Sequence, residues 1–359
     1  LKKLDILPLN QWFNGELEFP VIISGPCSAE SEFQIFETAR QISHLKQIKI
    51  FRAGIWKPRT RPNTFEGEGE NALKWLKNVK NSFHFLTTTE VATPKHIEEC
   101  LLSEAVDILW LGARTVANPF SVQEIANSLR GVNIPVLVKN PIHPDISLWQ
   151  GALERLNKNG IKCLAAIHRG FSPFEKSILR NIPKWELPIE LKINFPDLPI
   201  FCDPSHIAGK VSYIETISQK ALNLNFDGLM IETHFDPRNA LSDAEQQLLP
   251  SELENLLQKL QFRNTTSENS DFKKRLEQYR EQIDSVDLQL MELLSQRMKI
   301  VENIGIYKKQ NNVTILQPSR WREILQTRTE WAKKLGLSEN FVMQLLQIIH
   351  KESIEKQEK

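Results

Sequence analysis

At 359 residues, 41% hydrophobic and 25% charged, the chain has ordinary globular composition and apolar material for a large core, with room for two domains. A net charge of +1 leaves no global field to recruit nucleic acid or an acidic membrane, so any anion binding has to be local. No stretch resembles a signal peptide or approaches the roughly 18 apolar residues of a membrane span, and Cys27, Cys100, Cys163 and Cys202 lie far apart without a C-x-x-C pair; a reducing cytoplasm is the expected location, without disulfides or a zinc knuckle.

From the N-terminus, short apolar runs alternate with helical stretches. They are VIISGPC (21–27), IKIFRAG (48–54), FHFLTTTE (83–90), VDILWLGA (106–113), IPVLVKN (134–140), CLAAIHRG (163–170), LPIFCDPSH (198–206) and GLMIETH (228–234). Runs this continuously apolar are strands buried on both faces, and helical crossovers between them make the sheet parallel. Eight such units in about 250 residues predict a closed (β/α)8 barrel over residues 1–262. No G-x-G-x-x-G follows a strand, which counts against a dinucleotide fold.

The second run leads into RAGIWKPRTRPNTFEG (52–67), which sets Arg52, Lys57, Arg59 and Thr60 within nine positions. Taken alone it is either a solvated basic loop or an anion site, because clustered positive charge costs free energy unless anions offset it. Polar residues also gather where the other runs end, the end of such a barrel that carries chemistry. Lys57, Arg114, Lys139 and Arg169 fall on four different strand ends; singly each is a snorkelling or paired cation, and together they predict a site for phosphate or carboxylate. Arg59 and Thr60 are placed to take a second phosphate further out. Cys27, His206, Glu232 and Asp243 offer a thiolate, an imidazole and two carboxylates, a set that suits manganese, iron, cobalt or zinc. Three of them also have a structural reading: Cys27 as a buried small hydrophobe, His206 as a turn histidine and Asp243 as a helix N-cap.

The segment 263–270 reads as a linker, and 271–359 as an all-helical unit. Leu276, Tyr279, Ile283, Val286, Leu290, Leu293, Leu294, Met298, Val301 and Ile304 recur in steps of three and four, giving one helix over 271–309, about 58 Å long. Two shorter helices follow, over 320–334 and 338–357, with Ser338 as N-cap. Such a stripe is not buried by two short partners alone, so a homodimer of long helices is expected. Arg297 and Lys308 share one face of the helix; Arg280 lies about 25 Å from Arg297 and can serve only a partner's pocket.

GPCS (25–28), KPRT (57–60), GAR (112–114), HRG (168–170), DPSH (203–206) and E-x-H…ALSD (232–243) occur in order, and with them the first 260 residues resemble 3-deoxy-D-arabino-heptulosonate 7-phosphate (DAHP) synthase in its compact form. The resemblance implies metal ligands at Cys27, His206, Glu232 and Asp243, with manganese foremost, and phosphoenolpyruvate among Arg52, Lys57, Arg114, Lys139 and Arg169. It implies erythrose 4-phosphate on Arg59 and Thr60. Arg61 and Glu66 depart from its pattern, where a small polar residue and a glutamine are expected.

LEQYREQIDSVDLQLMELLSQRM…YKK resembles the all-helical chorismate mutase domain, with Ser353 and Gln357 matching on the last helix. Here the resemblance implies substrate carboxylates on Arg297 and a partner-subunit Arg280, and Lys308 and Gln357 on the breaking ether oxygen, with Arg320 and Ser353 also at the site. Gln317 and Trp321 stand where acidic residues are usual, and Glu323 is about 200° round the helix from Trp321. Together these features predict a bifunctional enzyme whose barrel is restrained by chorismate or prephenate. Its rivals are a tail that only binds and regulates, a sibling barrel making another keto-sugar acid, and a lysine aldolase using Lys57 or Lys139.

Overall fold

A computed structural model describes residues 3–15, 17–57, 65–173, 176–263 and 266–358. The chain divides into two compact units, Leu1–Thr265 and Thr266–Lys359.

The first unit is a closed eight-stranded parallel barrel in sequential order: β1 (Val21–Gly25), β2 (Ile48–Arg52), β3 (Leu86–Val91), β4 (Ile108–Leu111), β5 (Val136–Lys139), β6 (Leu164–His168), β7 (Ile200–Cys202) and β8 (Gly228–Glu232). All eight expected strands are present, each shorter than its apolar run. Phe83 ends the helix Asn71–Phe83, so β3 starts three residues later than predicted. Cys27 and Lys57 lie just past strand ends, and Asp203 caps the short helix Pro204–Ala208 by accepting from His206 N at 3.0 Å.

Alternation along the strands sorts two cores. Ile23, Ile50, Trp110, Leu137, Ile167, Phe201 and Met230 fill the barrel, joined by Trp12 from the preceding segment. Ile22, Phe51, Leu109, Val138, Ala166 and Ile231 point outward against the helices. Closure pairs Val21 with Gly228 through to Gly25 with Glu232. Only a glycine fits at 228, where a Cβ would run into Val21 O and the Phe201 ring. This closure sets the end of β1, and hence Cys27, beside Glu232.

The second unit has three helices: Ser270–Gln310, Pro318–Lys334 and Glu339–Glu358. Asn269 caps the first by accepting from Phe272 N, and Ser338 caps the third by accepting from Phe341 N. The last helix packs against both others. Of the 41 residues in the long helix, Val301 and Gly305 are buried within the chain, while Ile283, Val286, Leu290 and Leu293 of its apolar stripe stay exposed. No helix among the described residues is long and apolar enough to cross a membrane.

Candidate active site

At the C-terminal end of the strands, one ligand atom each from Cys27, His206, Glu232 and Asp243 lie within 4.8 Å of one another. Glu232 ends β8 and is fully buried; Asp243 sits in the left-handed region at φ 50°, which turns its carboxylate inward. Cys27 Sγ is 3.1 Å from Asp243 Oδ2 and 2.8 Å from Lys57 Nζ. Burial, then Glu232, push the Cys27 thiol well above its usual range. Burial opposes charge on Glu232 and Asp243 too, but His206 with Arg52, and His206 with Arg180 and Lys57, hold the two carboxylates below their ordinary values. Burial pulls His206 down, against Asp203. His206 Nδ1 is 2.9 Å from Asp203 Oδ2 without the alignment of a hydrogen bond, and both this nitrogen and Glu232 Oε1 are buried without a hydrogen-bond partner. A thiol, an imidazole and two carboxylates gathered this closely, with His206 Nδ1 and Glu232 Oε1 lacking a hydrogen-bond partner, fit a divalent first-row metal.

The cations form the other wall. Lys57, Arg114, Lys139 and Arg169 line one cavity of about 440 Å³ together with His206, Asp243 and Arg180. Gly54 gives Lys57 its path, since a Cβ there would stand 3.0 Å from Lys57 Cδ and 2.8 Å from Cys27 O. Lys57 Nζ also donates to that carbonyl at 3.0 Å. Lys139 Nζ donates to Asp203 Oδ2 at 2.8 Å. Arg169 has its pKa lowered to about 10, by burial first, with Asp203 countering and Arg180 and Arg114 adding to the fall. An anion arriving beside Arg169 would offset the cost of its burial and of the repulsion from Arg180 and Arg114. Arg52 is 1% exposed, with Nη2 3.1 Å from Glu232 Oε1 and its guanidinium 5.0 Å from the Trp110 ring centre. Arg59, Thr60 and Arg61 fall outside the described residues.

The helical unit brings together four of its expected residues. Arg297 Nη1 donates to Ser353 Oγ at 2.7 Å, and Lys308 Nζ donates to Gln357 Oε1 at 3.1 Å and Ile315 O at 2.6 Å. Gly305 permits this approach, for a Cβ there would sit 2.8 Å from Gln357 Cα. Burial, then Arg328, lower the Arg297 pKa, the sign of a cation without an anion beside it. Arg280 is exposed and pairs with Glu277 at 3.4 Å. Arg320 pairs with Glu323 at 2.7 Å. Trp321 stacks on His350, centroids 3.9 Å apart, and Gln317 precedes the second helix as its N-cap residue.

Sequence reasoning missed a supporting layer. Gln247 Oε1 accepts from Cys27 N at 2.9 Å, Gln246 Nε2 donates to Glu232 Oε2 at 2.6 Å, and Arg180 Nη1 donates to Asp243 Oδ1 at 2.9 Å. None of the three lies in a periodic stretch, and the polar pair Gln246–Gln247, three and four positions after Asp243, is the one signal in the sequence.

Comparison with known proteins follows the same division. The model described as the DAHP synthetase I family matches residues 6–268, and that for chorismate mutase type II matches residues 279–358. A phospho-2-dehydro-3-deoxyheptonate aldolase from Thermotoga maritima is 33% identical over 227 residues, 63% of this chain and 64% of the relative, so the chain spans less than two thirds of that relative's length. A 2-dehydro-3-deoxyphosphooctonate aldolase from Helicobacter pylori is 26% identical over 273 residues, covering 68% of this chain and 95% of the relative. The crystal structure of the Thermotoga maritima DAHP synthase superposes with a TM-score of 0.60 at 29% identity, covering 67% of each chain. A truncated form of that synthase gives 0.60 at 27%, covering 72% of this chain and 90% of the other.

Proposed function

Because the chain belongs to the DAHP synthetase I family and carries a chorismate mutase type II segment after its barrel, we propose that it is a bifunctional enzyme joining phosphoenolpyruvate to erythrose 4-phosphate and rearranging chorismate to prephenate. The observation that carries the first activity is the convergence of Lys57, Arg114, Lys139 and Arg169 on a cavity whose wall includes His206 and Asp243. The four cations hold the phosphate and carboxylate of phosphoenolpyruvate, and Arg52 fixes Glu232 and the Cys27 carbonyl. Arg59 and Thr60 take the phosphate of the aldose. Cys27, His206, Glu232 and Asp243 would hold a divalent metal, manganese in first place, which would supply Lewis acidity toward the aldehyde oxygen. In the reaction C3 of phosphoenolpyruvate bonds to the aldehyde carbon, water adds at C2, and inorganic phosphate leaves from C2. Fixing both substrates with their charges neutralised supplies the entropic part of the acceleration.

The second activity rests on Arg297 and Lys308 standing on one face, joined to the last helix through Ser353 and Gln357. Arg297 holds a substrate carboxylate, with Arg280 of a second subunit holding the other. Lys308 and Gln357 donate to the ether oxygen as charge develops on it, so no nucleophile is needed. Arg320 completes the pocket. The exposed Ile283, Val286, Leu290 and Leu293 support the homodimer that this sharing requires. Four free cysteines support a reducing location such as the cytoplasm. Prephenate made by the tail restrains the barrel.

Both assays on the purified chain test the proposal. Synthase activity lost in EDTA and regained with manganese, without borohydride trapping, is expected; trapping would transfer the chemistry to a lysine. The likeness to the octonate aldolase makes arabinose 5-phosphate the comparison substrate, and its preferential use would reassign the barrel. Arg297→Ala with undiminished chorismate turnover would reduce the tail to a regulatory module. Undiminished prephenate inhibition of a barrel cut at the linker would remove the coupling.

A further inference from the structure

Between β6 and the helix Glu186–Asn194, two consecutive polar residues, Arg180 and Asn181, touch both walls of the barrel site. Their backbone is pinned from two sides. Phe171 and Ile182 exchange a pair of 2.8 Å hydrogen bonds, while Arg180 N donates to Ala208 O at 3.3 Å and Asn181 N to Ile207 O at 3.1 Å. Two glycines make room for them. A Cβ on Gly170 would stand 2.9 Å from Asn181 Cβ, and one on Gly209 would stand 2.5 Å from Arg180 Cβ; both glycines have positive φ, 73° and 69°. A segment fixed this closely aims its side chains with little freedom left.

The two side chains go to different clusters. Arg180 Nη1 donates to Asp243 Oδ1 at 2.9 Å and to Gln246 Oε1 at 2.6 Å. Gln246 passes the constraint on, donating to Glu232 Oε2 at 2.6 Å. One guanidinium thereby orients both carboxylates of the metal-ligating quartet. Asn181 is 3% exposed; its Oδ1 accepts from Arg169 Nη1 at 3.0 Å and its Nδ2 donates to His206 O at 2.6 Å. It holds Arg169 turned toward the cavity, against the repulsion of the neighbouring cations.

We propose that Arg180 and Asn181 are positioning residues with divided tasks: Arg180 orients Asp243 and Glu232 for the metal, and Asn181 orients Arg169 for the anionic substrate. The inference rests on reading the quartet as a metal site and the cavity as the phosphoenolpyruvate site.

The test uses the full chain titrated with Co2+, read by the thiolate-to-cobalt charge-transfer absorption, and then with phosphoenolpyruvate at saturating Co2+. Arg180→Met is expected to raise the Co2+ dissociation constant about 10- to 100-fold, the usual effect of removing a partner of a metal ligand, and to weaken phosphoenolpyruvate by a smaller factor, since Arg180 also lines the cavity. Asn181→Leu is expected to weaken phosphoenolpyruvate by about tenfold or more and Co2+ by a smaller factor, since Asn181 also holds the His206 carbonyl. Where an apolar variant does not fold, Arg180→Lys and Asn181→Ser give the same split at smaller size. Either residue's variant leaving its own ligand within about twofold of the parent would overturn the proposal. So would parallel weakening of both ligands by both variants with matching loss of melting temperature. A parent chain that binds neither Co2+ nor phosphoenolpyruvate instead refutes the reading of the site itself.

Discussion

Replacing Lys139 by methionine isolates what the buried cations do for the barrel before any substrate arrives. Lys139 and Asp203 have side chains 5% and 0% exposed, with Nζ and Oδ2 2.8 Å apart. At that separation and an effective dielectric of about 20, their attraction is about 6 kcal/mol. Methionine preserves the stem's packing but takes from the buried Asp203 carboxylate its lysine, leaving His206 Nδ1 at 2.9 Å beside it, and breaking a buried pair from one side costs up to about 3–5 kcal/mol. For a unit the length of Leu1–Thr265 this corresponds to a fall in Tm of roughly 5–9 °C. Asp203→Asn on the same background removes the stranded charge, while its side-chain oxygen still accepts from His206 N and keeps the helix cap. The double variant is expected to recover at least half of the loss. Urea unfolding of the parent, both single variants and the double variant forms a closed cycle for the measurement. A Lys139→Met loss below about 1 kcal/mol, or a double variant no more stable than Lys139→Met, would refute the reasoning.

His168 is buried among Trp149, Phe171, Trp185 and Phe226, and burial first, then Arg169, lower its pKa to about 3. A folded value below the unfolded value of about 6.5 means that this stability is complete above that value and is lost as pH falls from about 6.5 toward 3. His168→Phe is expected to remove about 2–3 kcal/mol of the stability lost between pH 7 and pH 4.5; parallel pH profiles for parent and variant would contradict it. In the tail, Gly305→Ala drives a Cβ into Gln357, at an expected cost of about 1–3 kcal/mol. Chorismate turnover should fall with synthase turnover unchanged, and an unaffected mutase would show that the Lys308–Gln357 contact is dispensable.

The barrel was legible because its strands are buried on both faces and so read as unbroken apolar runs, from VIISG at β1 to GLMIE at β8. Their ends were less so: a run such as LPIFCDPSH continues past the strand Ile200–Cys202 into the short helix that Asp203 caps. The metal-ligating candidates were found through residue chemistry at strand ends. Arg52 was found too, but its burial was not, since a strand's sequence does not say how much of a side chain at its end stays exposed. Arg180 and Asn181 act through hydrogen bonds from an irregular loop and Gln246 from a single 3-10 turn, and segments this short or irregular leave no period to read. In the tail, period alone placed Arg297 and Lys308 on a shared face, while the Trp321–His350 stack depends on how two helices meet.

Barrel closure puts the start and the end of the first unit side by side, with Gly25 paired to Glu232. Measured along the chain, Cys27 and Asp243 are 216 positions apart. During synthesis at about 5–20 residues per second, the thiol therefore emerges roughly 10–40 seconds before the last of its three companions. Until then it is an unshielded sulfur on a growing chain, open to oxidation or to a stray metal. The four-residue cluster is consequently completed late in folding, and a ribosome stalled anywhere before β8 yields a polypeptide that carries Cys27 and lacks Glu232 and Asp243.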